Sequence, residues 1–391
     1  MGEHWPVTSL RMNLFTVALG LSLLGNVMVY SATSKEYGTQ YLVVRFAHLT
    51  LGVLAFFVAK QVRYTAWRKV MPAFYLVVLV SLILVLIPGI GTEVGGARRW
   101  FDLGPMSLQP AEFAKLAAIL LLSCAVARTR SGSGLPVWPV LAVGLLFGLV
   151  LIEPDFGTSV VIAAGTAGVL WASELRTINL LAFGGVAFAA LFGVMLLEPY
   201  RRDRFLTFLD PWSVSDGSGY QIVQSMVAIK AGSFFGTGAG AGVGDVSIPE
   251  AQTDMIFALI GEELGLLGMV SVIGAFAFLA LAGFKIALNA PSVMARCLAA
   301  GLATIFAVQA TCNLGAAMGS VPLAGITLPF VSYGGSSVLI CFAAVGILYR
   351  ISEDGEKARE AKPRKTSKRP TRLDRRRRDG GARDPRALRG G

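Results

Sequence analysis

The 391-residue sequence is 54% hydrophobic and 15% charged, with a mean hydropathy of +0.64, whereas a soluble globular domain carries roughly a quarter charged residues. A soluble domain is excluded, and apolar runs of about 17 to 25 residues without strict alternation exclude a transmembrane barrel. Most of the net charge of +11 lies at one end, where residues 351–391 carry 15 Lys and Arg against 7 Asp and Glu.

The runs predict an all-α, polytopic membrane helical bundle of about ten transmembrane helices. They fall near 11–30, 43–59, 70–88, 110–127, 137–152, 157–173, 177–197, 264–285, 295–318 and 324–349. The first follows Arg11, is too long for a signal-peptide core and lacks a small-residue cleavage pattern, so it is read as a retained span. Ten crossings put both termini on one side. Arg11, Lys60, Arg63, Arg68, Lys69, Arg128, Arg130, Arg176, Lys285, Arg296, Arg350 and the tail share that side, which the positive-inside rule assigns to the cytoplasm. Residues 1–350 then form the membrane domain, 198–263 a large extracellular loop between spans seven and eight, and 351–391 a disordered basic cytoplasmic tail. Cys124, Cys297, Cys312 and Cys341 lie inside spans with no CxxC pair, and His4 and His48 lack neighbouring ligands. The cysteines read as core residues, and a zinc site is not expected.

Span four opens Met106-Ser-Leu-Gln109-Pro110-Ala-Glu112-Phe-Ala-Lys115. Pro110 suits a first helical turn, and Glu112 and Lys115 stand i, i+3 on one face, where pairing lowers their insertion cost. The pair either holds the helix at the interface or lines a cavity near Asp254. Glu153-Pro-Asp-Phe-Gly-Thr158 contains a kinase-like Asp-Phe-Gly without its companion motifs and reads as a tight outer turn. In the long loop, Gly219–Lys230 carries Ile222, Val223, Met226, Val227 and Ile229 at helical spacing, so one side should lie on or in the membrane surface. The run Gly236-Thr-Gly-Ala-Gly-Ala-Gly-Val-Gly244 lacks a Lys-Ser/Thr ending and GxGxxG spacing, and a flexible hinge is favoured over a phosphate cradle.

Asp254, Glu262 and Glu263 stand where this loop runs into span eight. Charge near hydrocarbon costs several kcal/mol unless partnered, which makes them functional candidates. The plainer alternative makes Asp254 an N-cap and the glutamates a waterline. Ser332-Tyr-Gly-Gly-Ser-Ser337 interrupts the last run, either as a broken helix lining a cavity or as small residues for helix packing.

Seven stretches, in order, resemble the SEDS family of shape, elongation, division and sporulation proteins. They are Gly96-Ala-Arg-Arg99-Trp100-Phe-Asp-Leu-Gly104, Gln109-Pro-Ala-Glu112-Phe-Ala-Lys115, Glu153–Thr158, Asp210-Pro-Trp, Gly219-Tyr-Gln-Ile-Val-Gln-Ser225, Thr253-Asp254-Met-Ile-Phe-Ala-Leu-Ile-Gly-Glu-Glu-Leu-Gly265 and Gly325-Ile-Thr-Leu-Pro-Phe-Val-Ser-Tyr-Gly-Gly-Ser-Ser337. Together they span nearly the whole hydrophobic region. Ile248-Pro-Glu-Ala-Gln-Thr-Asp and the basic tail look more like the FtsW division members than the RodA elongation members. The resemblance implies a peptidoglycan glycosyltransferase polymerising lipid II on the outer face of the bacterial cytoplasmic membrane, at the division septum. It implies that Asp254 is the catalytic acid of the family's Thr-Asp-Phe motif, and that Glu112 and Lys115 are a functionally important pair. Met255 stands where the family usually has Phe, a change that bears on packing.

Such a reaction takes a proton from an acceptor sugar hydroxyl as it attacks the anomeric carbon of a polyprenyl-diphosphate sugar, and an aspartate can be the base. The departing diphosphate needs cations. Arg45, Arg99 and Lys115 are the candidates, or a divalent ion such as Mg or Mn, with Arg201-Arg-Asp-Arg204 a weaker choice because a charge run is usually a solvated face. Trp100, Gln109, Ser332, Gly334, Gly335 and Ser336 are further candidate substrate-binding or supporting residues in the matched stretches. A single displacement inverts the anomeric centre and needs no second nucleophilic carboxylate. No organic cofactor is expected. A lipid II flippase or a non-catalytic division scaffold are the competing readings, and the absence of a convincing inverted repeat favours the enzyme. Implied partners are lipid II, the nascent strand, a class B penicillin-binding transpeptidase and other division proteins. The tail is expected to meet anionic lipid or a cytoplasmic protein, with nucleic acid not expected.

Overall fold

The computed structural model describes residues 7–104, 106–129, 132–215, 217, 219–240, 248 and 251–361. Seven helices among them are long and apolar enough to cross a membrane: α1 (Val7–Tyr37), α2 (Gln40–Gln61), α3 (Trp67–Val85), α7 (Thr177–Leu197), α10 (Ile256–Leu288), α11 (Val293–Ala317) and α12 (Gly335–Glu360). The chain is a polytopic helical membrane protein. Helices α4 (Pro110–Val126), α5 (Val137–Ile152) and α6 (Phe156–Ala172) have 17, 16 and 17 residues, about 24 to 26 Å at 1.5 Å per residue. Hydropathy and position go together. Helix α4, short and buried along nearly its whole length, packs among α3, α5, α6 and α11, whereas the very apolar α7 has no buried residue. The four cysteines are free, three of them buried and Cys312 half-buried.

Between α3 and α4 the chain forms a small antiparallel sheet of β1 (Thr92–Val94), β2 (Ala97–Asp102) and β3 (Ser107–Leu108), which an all-helical reading did not anticipate. Its first turn follows local chemistry: Val94 pairs with Ala97 across Gly95 and Gly96, both at positive φ, as a two-residue hairpin of this kind requires.

Two spans and one loop helix depart from the hydropathy pattern. Helix α10 begins eight residues before the expected 264, and Gly265 (φ 65°, ψ −161°) breaks it into a short segment carrying Glu262 and Glu263 and a long apolar one. A side chain at Gly265 would run into the backbone of Gly236 and Phe234. Thr237 and Gly238 donate their amides to the carbonyls of Glu262 and Glu263, and Leu266 donates to Ser233. The described start of the glycine run is therefore pinned to the break and does not act as a loose hinge, while residues 241–247 lie outside the described part. Second, helix α9 (Tyr220–Gly232) turns Ile222, Val223 and Ala228 into the protein while Val227 stays exposed, and Ser225 Oγ donates to Ala317 O at 2.6 Å. Third, the last span starts at Gly335 and not 324, because Pro322, Pro329 and the positive-φ residues Gly325 and Phe330 keep the chain out of a helix.

Packing separates Met1–Gly355, which holds the bundle, from a second unit beginning at Glu356. Helix α12 continues to Glu360, so residues 351–360, assigned by composition to a disordered tail, are helical. The rest of the basic tail, including Arg375–Arg378, lies outside the described residues, as do His4 and Arg130.

Candidate active site

The segment between α11 and α12 runs as irregular chain through the protein interior, with Ile326, Leu328, Phe330, Val331 and Ser332 buried. Irregular backbone in a membrane protein must satisfy its polar groups internally, and here it does so on the turn that carries Asp254. Tyr333 N donates to Gln252 O at 2.8 Å. Ser332 Oγ accepts from Leu328 N at 2.8 Å and donates to Thr253 O at 2.6 Å. Asn313 Nδ2, from α11, reaches Asp254 O at 2.9 Å and Ile326 O at 2.7 Å. Asp254 is half-buried, and a Cβ on Gly325 (φ +66°) would stand 3.7 Å from its Oδ2. The cap position of α10 is Met255, so Asp254 is not the simple N-cap that the Thr-Asp spacing allowed. Met255 itself is fully buried, filling the place of the family's Phe with another apolar side chain.

A second cluster joins the starts of α4, α6 and α12. Gln109 N donates to Ser336 Oγ at 2.9 Å, and Gln109 Nε2 donates to Asp155 Oδ2 at 2.9 Å. Asp155 caps α6 by accepting from Thr158 N at 2.9 Å. Arg99, whose guanidinium lies 5.9 Å from the Trp100 ring, donates to the carbonyls of Glu153 and Pro154 at 2.9 and 2.7 Å. This turn abuts the α11–α12 segment, since a Cβ on Gly157 would lie 2.5 Å from Ala324 O. The basic cluster after α7 turns inward here and is not wholly solvated. On helix α8 (Pro199–Leu209), the Arg201 guanidinium sits 5.7 Å from the Phe156 ring and Arg204 Nη1 reaches Leu323 O at 3.5 Å.

Glu153, in the turn between α5 and α6, is fully buried, and neither carboxyl oxygen has a hydrogen-bond partner among the described residues. Burial, reinforced by Asp155 and opposed by Arg99, pushes it up to about 9 from 4.5. The neutral acid is the folded form, so its contribution to stability is complete below about 4.5 and is lost as pH rises through about 9. Wild-type protein should therefore melt progressively lower relative to Glu153→Gln as pH rises from about 5 to about 9, and parallel melting curves for the two would refute this.

Glu112 and Lys115 form a buried ion pair at 2.7 Å, with 5% and 2% of their side chains exposed. Lys115 lines a narrow cavity with Phe306 and Gln309 of α11 and Ile340 and Cys341 of α12. Gln309 is one turn, about 6 Å along the helix, from Asn313, so α11 links the pair to the Asp254 turn. Arg45 is fully buried and donates through Nη2 to the carbonyls of Phe330 and Val331, the second at 3.1 Å. Gly335 packs against the His48 ring, where a Cβ would lie 2.5 Å from Nε2, and Gly334 lies open beside Thr327 and Ser337. Glu262 and Glu263 are both 2% exposed, and Ser31 donates to Glu263, so neither marks a waterline. Asp155 and Asn313 escaped the sequence reading as site residues, and Arg201 entered it only within the weaker cation cluster. A polar residue at the end of an otherwise apolar span was the signal available for Asn313.

The family model described as "Cell cycle protein", which groups FtsW, RodA and SpoVE, matches residues 11–357. The chain belongs to this family. Its SEDS assignment extends along the whole bundle: a "Probable peptidoglycan glycosyltransferase FtsW" of Trichlorobacter lovleyi is 39% identical over 352 residues, 87% of this chain and 92% of that one. Among solved structures, a chain from work on structural coordination of polymerization and crosslinking by a peptidoglycan synthase complex aligns with TM-score 0.72 at 30% identity, covering 88% of this SEDS chain and 97% of that one. The rod shape determining protein RodA of Thermus thermophilus aligns with TM-score 0.64 at 28% identity, covering 87% and 96%.

Proposed function

We propose that this SEDS protein is an inverting peptidoglycan glycosyltransferase that polymerises lipid II into glycan strands on the outer face of the cytoplasmic membrane during cell division. The observation that carries the reading is the fixing of Asp254. Its peptide and the two before it are each bonded to the α11–α12 segment or to α11, which preorganises a half-buried carboxylate beside the open position of Gly325. Asp254 takes the proton from the acceptor hydroxyl as it attacks the anomeric carbon. The bond to the lipid diphosphate then breaks with its electron pair, and the configuration inverts. Of the candidate cations, Arg45 and Lys115 are 0% and 1% exposed, whereas Arg99 is half-buried, so the diphosphate is assigned to Arg99.

Among the described residues, no three His, Cys, Asp or Glu side chains gather as a metal set. A Mg or Mn ion does not require one, because Mg²⁺ is commonly held by one or two carboxylates together with substrate phosphates. No residue is assigned to hold it, because Asp254 serves the acceptor hydroxyl on the face opposite the leaving diphosphate; a bound ion would neutralise leaving-group charge. The partner is proposed to be a class B penicillin-binding transpeptidase, which the likeness to a polymerisation and crosslinking complex supports. Both termini are placed in the cytoplasm by the Lys/Arg distribution.

The test is incubation of the purified chain with lipid-linked disaccharide, alone and with the transpeptidase, resolving products by length. Glycan ladders are expected. Absence of polymer in both conditions, with labelled lipid instead moving between leaflets of proteoliposomes, would make the protein a flippase.

A further inference from the structure

We propose that Asn313 is a positioning residue for Asp254, an assignment that rests on the glycosyltransferase reading. It stands on the last turn of α11 and is 2% exposed. A primary amide at such a place costs free energy unless its groups are bonded. Both hydrogens of Nδ2 are used, on Asp254 O at 2.9 Å and Ile326 O at 2.7 Å. Because both acceptors are carbonyls, the orientation of the amide is fixed: the reversed amide would set Oδ1 against two oxygens.

Those two carbonyls belong to the two segments that frame the Asp254 carboxylate. Asp254 is on one, and Gly325, whose missing side chain leaves room 3.7 Å from Oδ2, precedes Ile326 on the other. One amide thus sets the separation between them. The other ties on this turn, Tyr333 N to Gln252 and Ser332 Oγ to Thr253, come from the irregular segment, which Arg45 steadies at Phe330 and Val331. Of the three bonds to the carbonyls of residues 252–254, the one from Asn313 comes from a regular helix, so it transmits the rigidity of α11 to both sides of the site. It grips the main chain of Asp254 and leaves the carboxylate to the reaction. Its Oδ1 is buried without a partner among the described residues, so an isosteric carboxylate would place charge against the two carbonyls with no described group to offset it.

The experiment is steady-state polymerisation of lipid-linked disaccharide by Asn313→Ala and Asn313→Asp, with melting temperatures measured on the same preparations and Asp254→Asn run alongside. The expected result is kcat reduced about 10- to 100-fold, the cost of a small misplacement of a reacting group, more in Asn313→Asp than in Asn313→Ala, with KM within about twofold of wild type. Wild-type kcat in both variants, a rise in KM that accounts for the loss, or melting of both below the assay temperature would overturn the assignment, the last making Asn313 a purely structural residue. If Asp254→Asn polymerises normally, the glycosyltransferase reading itself fails. If Asp254→Asn is inactive while the Asn313 variants match wild type, only the positioning role falls.

Discussion

Glu112→Ala is expected to lower the stability of the bundle by about 3 to 5 kcal/mol, the cost of leaving one member of a buried ion pair without its partner. Lys115 is 1% exposed and its ammonium is 2.7 Å from Glu112, on a helix buried along nearly its whole length, so neither water nor lipid headgroups can replace the carboxylate. The loss should appear as a large drop in melting temperature in detergent. Replacing both residues with Met should recover most of it, because apolar pairs of similar volume often match or exceed buried ion pairs in stability. This double variant separates the two roles left open by the spacing. Recovery of stability without recovery of polymerisation assigns the pair to the reaction, and recovery of both assigns it to holding α4 in place. A Glu112→Ala protein that melts like wild type would contradict the geometry.

The spans were legible because a helix crossing hydrocarbon must be long and apolar, and α1, α2, α3, α7 and α11 follow their runs to within a few residues, apart from a longer α1. Where the chain departs from hydropathy, tertiary packing decides. Nothing apolar separates Gly265 from its neighbours; the break exists because backbone from Ser233 to Gly238 needs the room and the hydrogen bonds. Likewise residues 324–334 are apolar enough to pass for helix. They become an irregular segment because Arg45, Asn313 and the Asp254 turn supply the partners that a helix would otherwise supply itself. Phe330 shows the same balance: its positive φ carries a cost on the order of 1 to 3 kcal/mol, offset by a fully buried ring packed against Phe306 and Phe342. The site was partly readable. Asp254, Glu112 and Lys115 announce themselves as charges in apolar surroundings, but the meeting of Gln109 with Asp155 and Ser336 joins residues 46 and 227 positions apart, which no local pattern encodes.

The second large effect concerns Asp254 itself. An amide in its place keeps the size and the main-chain bonds to Asn313 but cannot accept the hydroxyl proton, and a positioned general base contributes about 10²- to 10⁴-fold to a rate. The carbonyl of residue 254 is still held in the variant, so a loss of rate reports the side chain and not the fold. The most direct measurement is the initial rate of glycan polymerisation from lipid-linked disaccharide by purified wild-type and Asp254→Asn protein of equal melting temperature. A fall of at least about 10²-fold with lipid binding retained is expected if Asp254 is the base; an Asp254→Asn rate within a few-fold of wild type would rule that role out.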